Sequence, residues 1–255
     1  MITVHSESCI GCGVCQRLCC MGYLQVADGK AAPKERRRCI SCGHCVSACP
    51  KNAIELTFDN ETEAICPTPE NDIEALILSR RSVRHFRRDL PPREVVQRAI
   101  DLAEYTPSGK NRHEHHWVVL YGLDQTQKLT DMALDFSART GEAKELLKIK
   151  AAGTNLLTCD APCVIINWSP DNALNPIADP ALAMAMVEAQ LNRAGLATCW
   201  GGYLRQISEA DADLRAHLGI PDGCNLRCAL MVGYADRETY LRIPPRPRAG
   251  INWIE

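Results

Sequence analysis

The chain of 255 residues has almost no bias of charge: 29 basic side chains stand against 31 acidic ones, a formal net charge of -2. A balance that close excludes a strong overall pull toward nucleic acid or an anionic membrane surface. No apolar run approaches the ~18 residues of a membrane-crossing helix, so no such span is expected. The opening Met1-Ile2-Thr3-Val4-His5-Ser6-Glu7 has neither the basic start nor the apolar stretch of a secretory leader. A reducing cytoplasm is the expected location. Also missing are a Gly-x-Gly-x-x-Gly turn and a phosphate-binding P-loop, so a nicotinamide would have to bind without a Rossmann fold.

The rest of the composition, 46% hydrophobic and 24% charged, is that of a folded soluble chain. Length alone allows one or two domains at ~150 residues each. The unusual number is that of cysteine: there are 15, nine of them in the first 49 positions. In a reducing compartment, grouped cysteines more often bind metal or do redox work than form disulfides.

Cys9, Cys12, Cys15 and Cys19 recur 30 residues later as Cys39, Cys42, Cys45 and Cys49, the last followed by Pro50. Ile10 matches Ile40, Gly13 matches Gly43, and Leu24 and Val26 match Ile54 and Leu56. This is an internal duplication. Spacings of two, two and three let three thiolates wrap one iron-sulfur cube while the fourth reaches the cube of the other run. On that rule Cys9, Cys12, Cys15 and Cys49 hold one 4Fe-4S cluster, and Cys39, Cys42, Cys45 and Cys19 hold the second. Gly13 and Gly43 suit such loops because backbone without a Cβ can approach cluster sulfur. Residues 1–60 thus resemble a two-cluster bacterial-type ferredoxin. Paired zinc sites are the alternative, but zinc usually appears as paired Cys-x-x-Cys units rather than two complete runs of four. One departure stands out: Cys19-Cys20 replaces the Cys-Pro of the pattern, and Cys20 is read as a spare thiol.

Residues 61–70, with Cys66-Pro67-Thr68-Pro69, read as a linker. Beyond it, helices are expected from a cap at Asp72 through Leu78, from Pro91-Pro92 to about Tyr105, over 124–139 and over 142–158. A further helix starts at Asp179-Pro180 and ends before Gly195. Its apolar residues lie on several faces, which places it in a core or between subunits. Strands are expected at Trp117–Tyr121, Cys163–Trp168, Thr198–Trp200 and Cys228–Gly233. The alternation of these elements indicates an α+β fold, a small ferredoxin-like iron-sulfur domain joined to a mixed sheet flanked by helices.

Arg80-Arg81-Ser82-Val83-Arg84-His85-Phe86 puts three guanidiniums and a hydroxyl where a helix gives way to extended chain. Guanidinium forks bind phosphate and carbonyl oxygens bidentately, so the cluster suits an anionic cofactor; taken alone, it reads sooner as a solvated helix end. Three other segments agree with it: Thr106-Pro107-Ser108-Gly109-Lys110-Asn111, Gly195-Leu196-Ala197-Thr198-Cys199-Trp200-Gly201-Gly202, and Arg242-Ile243-Pro244-Pro245-Arg246-Pro247-Arg248. Together and in this order they resemble the FMN-dependent nitroreductase family over residues 71–255.

That resemblance implies specific roles. Arg80, Arg81, Ser82 and Arg84 would hold the FMN phosphate and pyrimidine edge, with Arg246 and Arg248 completing the phosphate site. Pro107, Ser108 and Asn111 would reach the flavin from the partner of a homodimer. Gly201 and Gly202, beside Trp200, would bring backbone N-H groups to the flavin near N5 and O4. No side-chain nucleophile is implied, because flavin N5 carries the chemistry. The arm 242–255, ending in Ile251, Trp253 and Ile254, would cross to the partner and join its sheet.

Three smaller features complete the reading. His113-Glu114-His115-His116 is polar pocket lining or a surface edge in preference to a metal site. Cys159 with Cys163, and Cys224 with Cys228, are buried small apolar residues; Cys199 lies beside the flavin motif. Arg36-Arg37-Arg38, before Cys39, is a solvated turn or a docking patch for an acidic carrier. The sequence therefore describes an iron-sulfur flavoprotein oxidoreductase. In that reading electrons from a low-potential donor such as a ferredoxin pass through two 4Fe-4S clusters to FMN and on to a nitroaromatic, quinone or similar small-molecule acceptor. Reverse flow from an FMN dehydrogenase, or a non-catalytic redox sensor, are the alternatives.

Overall fold

The structure, a computed structural model, describes residues 1–58, 63–236 and 240–255. It divides into two compact units, Met1–Arg80 with Glu238–Glu255, and Arg81–Arg237.

The first unit repeats one small motif. Strand β1 (Ile2–Val4) leads to helix α1 (Val14–Leu18), then to the hairpin of β2 (Leu24–Ala27) and β3 (Lys30–Pro33), helix α2 (His44–Ala48) and β4 (Ile54–Leu56). β1 pairs antiparallel with β4, Ile2 opposite Leu56, and β2 with β3, Leu24 opposite Pro33. Ile2, Leu24, Val46, Ile54 and Leu56 close its core. Each short helix starts from a glycine in left-handed conformation, Gly13 at φ 76° and Gly43 at φ 76°. A residue with a Cβ is strained there, which is a stronger reason for glycine than proximity to sulfur.

Strand β5 (Ala64–Ile65) and helix α3 (Asp72–Ser79) complete this unit before the chain leaves it. The cap of α3 is Asn71 rather than Asp72: its side chain accepts from the Glu74 N-H, and the Glu74 carboxylate accepts from Glu70 N-H at 2.8 Å. This reciprocal capping satisfies donors that the first turn leaves free.

The second unit is a sheet between two helical layers. In order come α4 (Arg93–Ala103), a 3-10 turn at Gly109–Asn111, β6 (His116–Tyr121), α5 (Leu123–Thr140), α6 (Glu145–Ala151), β7 (Cys163–Pro170), α7 (Ala178–Arg193), β8 (Ala197–Trp200), α8 (Gly202–Ala210), α9 (Ala212–His217) and β9 (Cys224–Gly233). The sheet order is β6-β7-β9-β8, each adjacent pair antiparallel. Ser82 adds a parallel bridge to Thr198, which makes the sheet mixed.

Alternation along β7 assigns the two layers. Cys163 and Ile165 pack with Val96, Ile100, Met184 and Val187 of α4 and α7. Val164 and Ile166 pack with Leu129, Leu204 and Leu214 of α5, α8 and α9. Burial on both faces explains why β7 reads as a continuous apolar run. The helix expected over 142–158 is shorter, ending at Ala151, because Gly153 turns the chain at φ 85°. Helices α8 and α9 were not among the expected elements.

The last described strand, β10 (Arg246–Pro247), pairs antiparallel with β5 of the first unit. The tail therefore belongs to the iron-sulfur unit and not, as the linear division at 71–255 has it, to the second. Backbone bonds explain this: Leu241 N-H donates to Ser47 O at 2.8 Å and Arg248 N-H to Glu63 O at 2.8 Å.

Candidate functional site

The structure brings the cysteines of the duplicated runs together in two groups of four. Cys9, Cys12, Cys15 and Cys49 line one hollow. Cys19, Cys39, Cys42 and Cys45 line another, with Cys20 on its wall. Zinc would draw four ligands to about 2.3 Å from one point. Four sulfurs spaced around a hollow suit a cube instead.

Each hollow also presents backbone N-H donors to sulfur. Ala31 N and Ala53 N reach Cys9 and Cys49 Sγ, both at 3.3 Å. Tyr23 N and Ser41 N reach Cys19 and Cys39 Sγ at 3.2 and 3.3 Å. Such bonds favour thiolate, and the N-H of Ala31, followed by that of Gly11, pulls the Cys9 thiol below its usual range. Burial acts oppositely at two other ligands, pushing Cys15 up to about 11 and Cys45 to about 12, with neighbouring cysteines adding to both. Bound iron would supply the positive charge that allows these thiolates to form.

In the second unit, the chain after Arg80 runs beside β8. Ser82 bridges Thr198, and Val83 N-H donates to Thr198 O at 2.9 Å. Arg81 is buried, and Arg84 Nη1 donates to Ser82 O at 3.1 Å. Buried guanidinium beside a half-buried hydroxyl is a donor set suited to an anionic, oxygen-rich cofactor. Arg80, the exposed C-cap of α3, belongs to the first unit.

Past β8, the two glycines have different jobs. Gly201 N-H already donates to Ala229 O at 2.8 Å. A Cβ at Gly201 would lie 3.2 Å from Ala229 Cβ and 3.2 Å from Met231 Sδ. Gly201 is thus small for packing against β9, and its N-H is spent there. Gly202 opens α8, where a helix leaves N-H groups unbonded, and nothing lies within 4 Å of where its Cβ would be. That cradle fits a planar acceptor-bearing ring. Cys199 lies on the opposite face of β8 from Trp200, in the core beside Cys159, whose thiol is raised first by its hydrogen bond to Cys199 and then by burial. Cys163 and Cys228 are pushed up to about 12 and about 11, and Cys224 is also raised, each chiefly by burial, as inert core thiols would be.

Sequence reasoning missed Glu188, a buried carboxylate on α7. Its oxygens accept from Thr198 Oγ1 and from Trp200 Nε1, both at 2.9 Å, and Asn192 Nδ2 donates to Thr198 Oγ1 at 2.9 Å. The network ties Trp200 to the strand that Ser82 joins. An ionisable residue inside an otherwise apolar helical stretch was the available signal.

Pro107, Ser108 and Asn111 occupy the turn between α4 and β6. Gly109 N-H donates to Asp179 Oδ2 at 2.9 Å and His113 N-H to Ser108 Oγ at 3.1 Å. Pro107 and Asn111 are exposed, and Lys110, Asn111 and His113 adopt positive φ. His113 meets Asn111 Oδ1 at 3.0 Å and His116 stacks on Trp168. His115 is buried, with Nε2 3.5 Å from Glu104 Oε1; burial lowers its pKa and Glu104 opposes that shift.

Arg246 and Arg248 are engaged in the first unit. Arg246 Nη2 donates to Cys42 O at 2.9 Å, and Arg248 Nε pairs with Glu63 at 2.9 Å.

Comparison with known proteins agrees with both halves. Residues 77–234 match the model of the nitroreductase family, and residues 1–50 match that of the 4Fe-4S dicluster domain. A component of the ion-translocating oxidoreductase complex of Methanosarcina acetivorans is 42% identical over 53 residues, 21% of this chain, which spans only 20% of that protein. Nitroreductase NfnB of Mycolicibacterium smegmatis is 25% identical over 213 residues, 70% of this chain and 89% of that protein. A nitroreductase from Bacteroides fragilis, solved with bound FMN, shares the fold with a TM-score of 0.64 at 22% identity, covering 72% of this chain and all of that one. The chain belongs to the nitroreductase family, and carries a 4Fe-4S dicluster domain ahead of the family fold.

Proposed function

We propose that this protein is an FMN-dependent oxidoreductase in which electrons from a low-potential donor such as a ferredoxin pass through two 4Fe-4S clusters to the flavin and on to an organic acceptor. Nitroaromatics, quinones and similar electrophiles are the acceptor class. The observation that carries this reading is the pair of crossed four-cysteine hollows in a chain whose other unit has the nitroreductase fold. FMN would supply two-electron chemistry at N5 and the clusters one-electron supply.

The chain's own residues do the rest. Arg81, Ser82 and Arg84 bind the anionic end of the cofactor, and the opening turn of α8 at Gly202 donates to its ring. Trp200, held by Glu188, walls that cradle. Pro107 and Asn111 are exposed and Ser108 half-buried on one protomer, which leaves this turn open to contribute to a homodimer partner's site. Among the described residues no helix is long and apolar enough to cross a membrane.

Anaerobically purified protein should contain about eight irons and one FMN per chain. It should reduce nitro or quinone acceptors with reduced ferredoxin. Cys45→Ser should abolish ferredoxin-driven turnover while chemically reduced flavin still reacts with acceptor. Equal turnover of Cys45→Ser with reduced ferredoxin would overturn the reading.

A further inference from the structure

The duplication makes the two cluster loops nearly equal: the same left-handed glycine, a helix of five residues and backbone N-H donors to sulfur in each. They differ in the source of positive charge. At the first hollow, Lys30 of β3 donates from Nζ to the carbonyl of Cys9 at 2.6 Å. The 30-residue offset puts Asn60, which is uncharged and outside the described residues, at the matching position.

Arg36-Arg37-Arg38 precedes Cys39 but is exposed, and the cation that reaches a ligand's backbone carbonyl at the second hollow comes from the far end of the chain. Arg246 Nη2 donates to the Cys42 carbonyl at 2.9 Å. Around it the tail is fastened to the same loop. Arg242 Nη1 caps the end of α2 through the carbonyls of Val46 and Cys49, Leu241 N-H bonds Ser47 O, and Tyr240 packs on His44 with ring centroids 5.4 Å apart. Pro244 lies so close to Gly43 that a Cβ there would meet its ring at 2.5 Å, whereas the nearest atom to a Cβ at Gly13 is Val26 Cγ2 at 4.0 Å. The outer positions of α1, Gln16 and Arg17, are exposed; their counterparts on α2, Val46 and Ser47, are buried.

We propose that the C-terminal segment is the missing charge donor of the duplicated module, with Arg246 as the positioning residue that raises the reduction potential of the cluster held by Cys19, Cys39, Cys42 and Cys45. Lys30 plays the equivalent part for the other cluster. A reduced cluster is one charge more negative than an oxidised one, so a fixed cation at a ligand's backbone favours reduction. The proposal rests on the two-cluster reading, and iron content tests that reading separately.

The experiment is an anaerobic redox titration of the full-length protein followed by electron paramagnetic resonance, with iron determined on each sample. Arg246→Gln should shift one cluster's reduction equilibrium about tenfold against reduction, which is about 59 mV for a one-electron couple. The other cluster should stay put. Arg246→Lys should return toward wild type, and Lys30→Gln should shift the cluster that Arg246→Gln leaves alone. Should Arg246→Gln lose iron, Pro247→Glu sets an opposing charge beside Arg246 without removing it, and should move the same cluster in the same direction. Full iron with both potentials unchanged in Arg246→Gln, or equal shifts of both clusters, would overturn the proposal. So would an unchanged pair of potentials in Pro247→Glu if that variant has to stand in.

Discussion

At the scale of single residues, chemistry around β8 depends on which face a side chain takes. Thr198 and Trp200 turn toward α7 and end on Glu188; Cys199, between them, turns into the opposite core. Glu188→Ala would leave the fully buried Thr198 hydroxyl and the Trp200 indole without their acceptor. Leaving buried donors unsatisfied costs about 1–3 kcal/mol. In a chain of this size each kcal/mol lowers the melting temperature by about 2–4 °C. Circular dichroism should therefore find Glu188→Ala melting several degrees lower. Adding Thr198→Val should cost less in that background than alone, because the two groups share one bond. A melting curve that coincides with wild type would remove Glu188 from this role. The segment Thr198-Cys199-Trp200-Gly201-Gly202 was legible in the sequence as a unit, yet its division of labour was not. Strand alternation separates Cys199 from its neighbours, but only the partner strand reveals that the Gly201 N-H is spent on Ala229.

At the scale of elements, repetition made the iron-sulfur unit the most legible part of the chain. Both αL glycines, both short helices and the crossed cysteine sets follow from one 30-residue offset. What the repeat hides is the difference between its copies, since that difference arises from chain 193 to 204 positions away. Gly13→Ala and Gly43→Ala expose it. Each places a Cβ on backbone at φ 76°, a strain of roughly 1–2 kcal/mol. Only Gly43→Ala also drives a methyl into Pro244. Limited trypsin digestion should then cut the tail of Gly43→Ala several-fold faster than that of Gly13→Ala or wild type. Equal rates for the two variants would mean the tail does not rest on α2 in solution. Helices α8 and α9 were less legible because they follow Gly-Gly, a breaker signal. Yet Asp211, whose side chain accepts from Asp213 N-H and Leu214 N-H, is an ordinary cap that sequence reasoning passed over.

At the scale of the whole molecule, contiguity is what a linear reading assumes and the fold does not respect. The tail of the chain joins the unit that the first 80 residues build. Backbone pairing between β10 and β5 cannot be seen in either segment alone, since each is two residues long. The all-round apolar character of α7 was legible, and it splits two ways: Met184, Val187 and Leu191 enter the core, while Leu182 and Met186 stay 46% and 47% exposed one turn apart. Tyr105, two residues past the end of α4, is 88% exposed. Large apolar side chains left outward at i and i+4 are what a second copy of the chain would cover. A glutamate at either position would bury a charge in that interface and leave the isolated fold untouched, because neither side chain lies in the core. Light scattering should give Leu182→Glu and Met186→Glu masses near the 28.2 kDa of one chain, against twice that for wild type. If Pro107, Ser108 and Asn111 serve the partner's cofactor, the same variants should lose FMN while keeping their iron, because the cysteine hollows are complete within one chain. Variants that stay dimeric would show that α7 faces solvent in the working protein, and monomeric variants with full flavin would show that the FMN site is built from one chain.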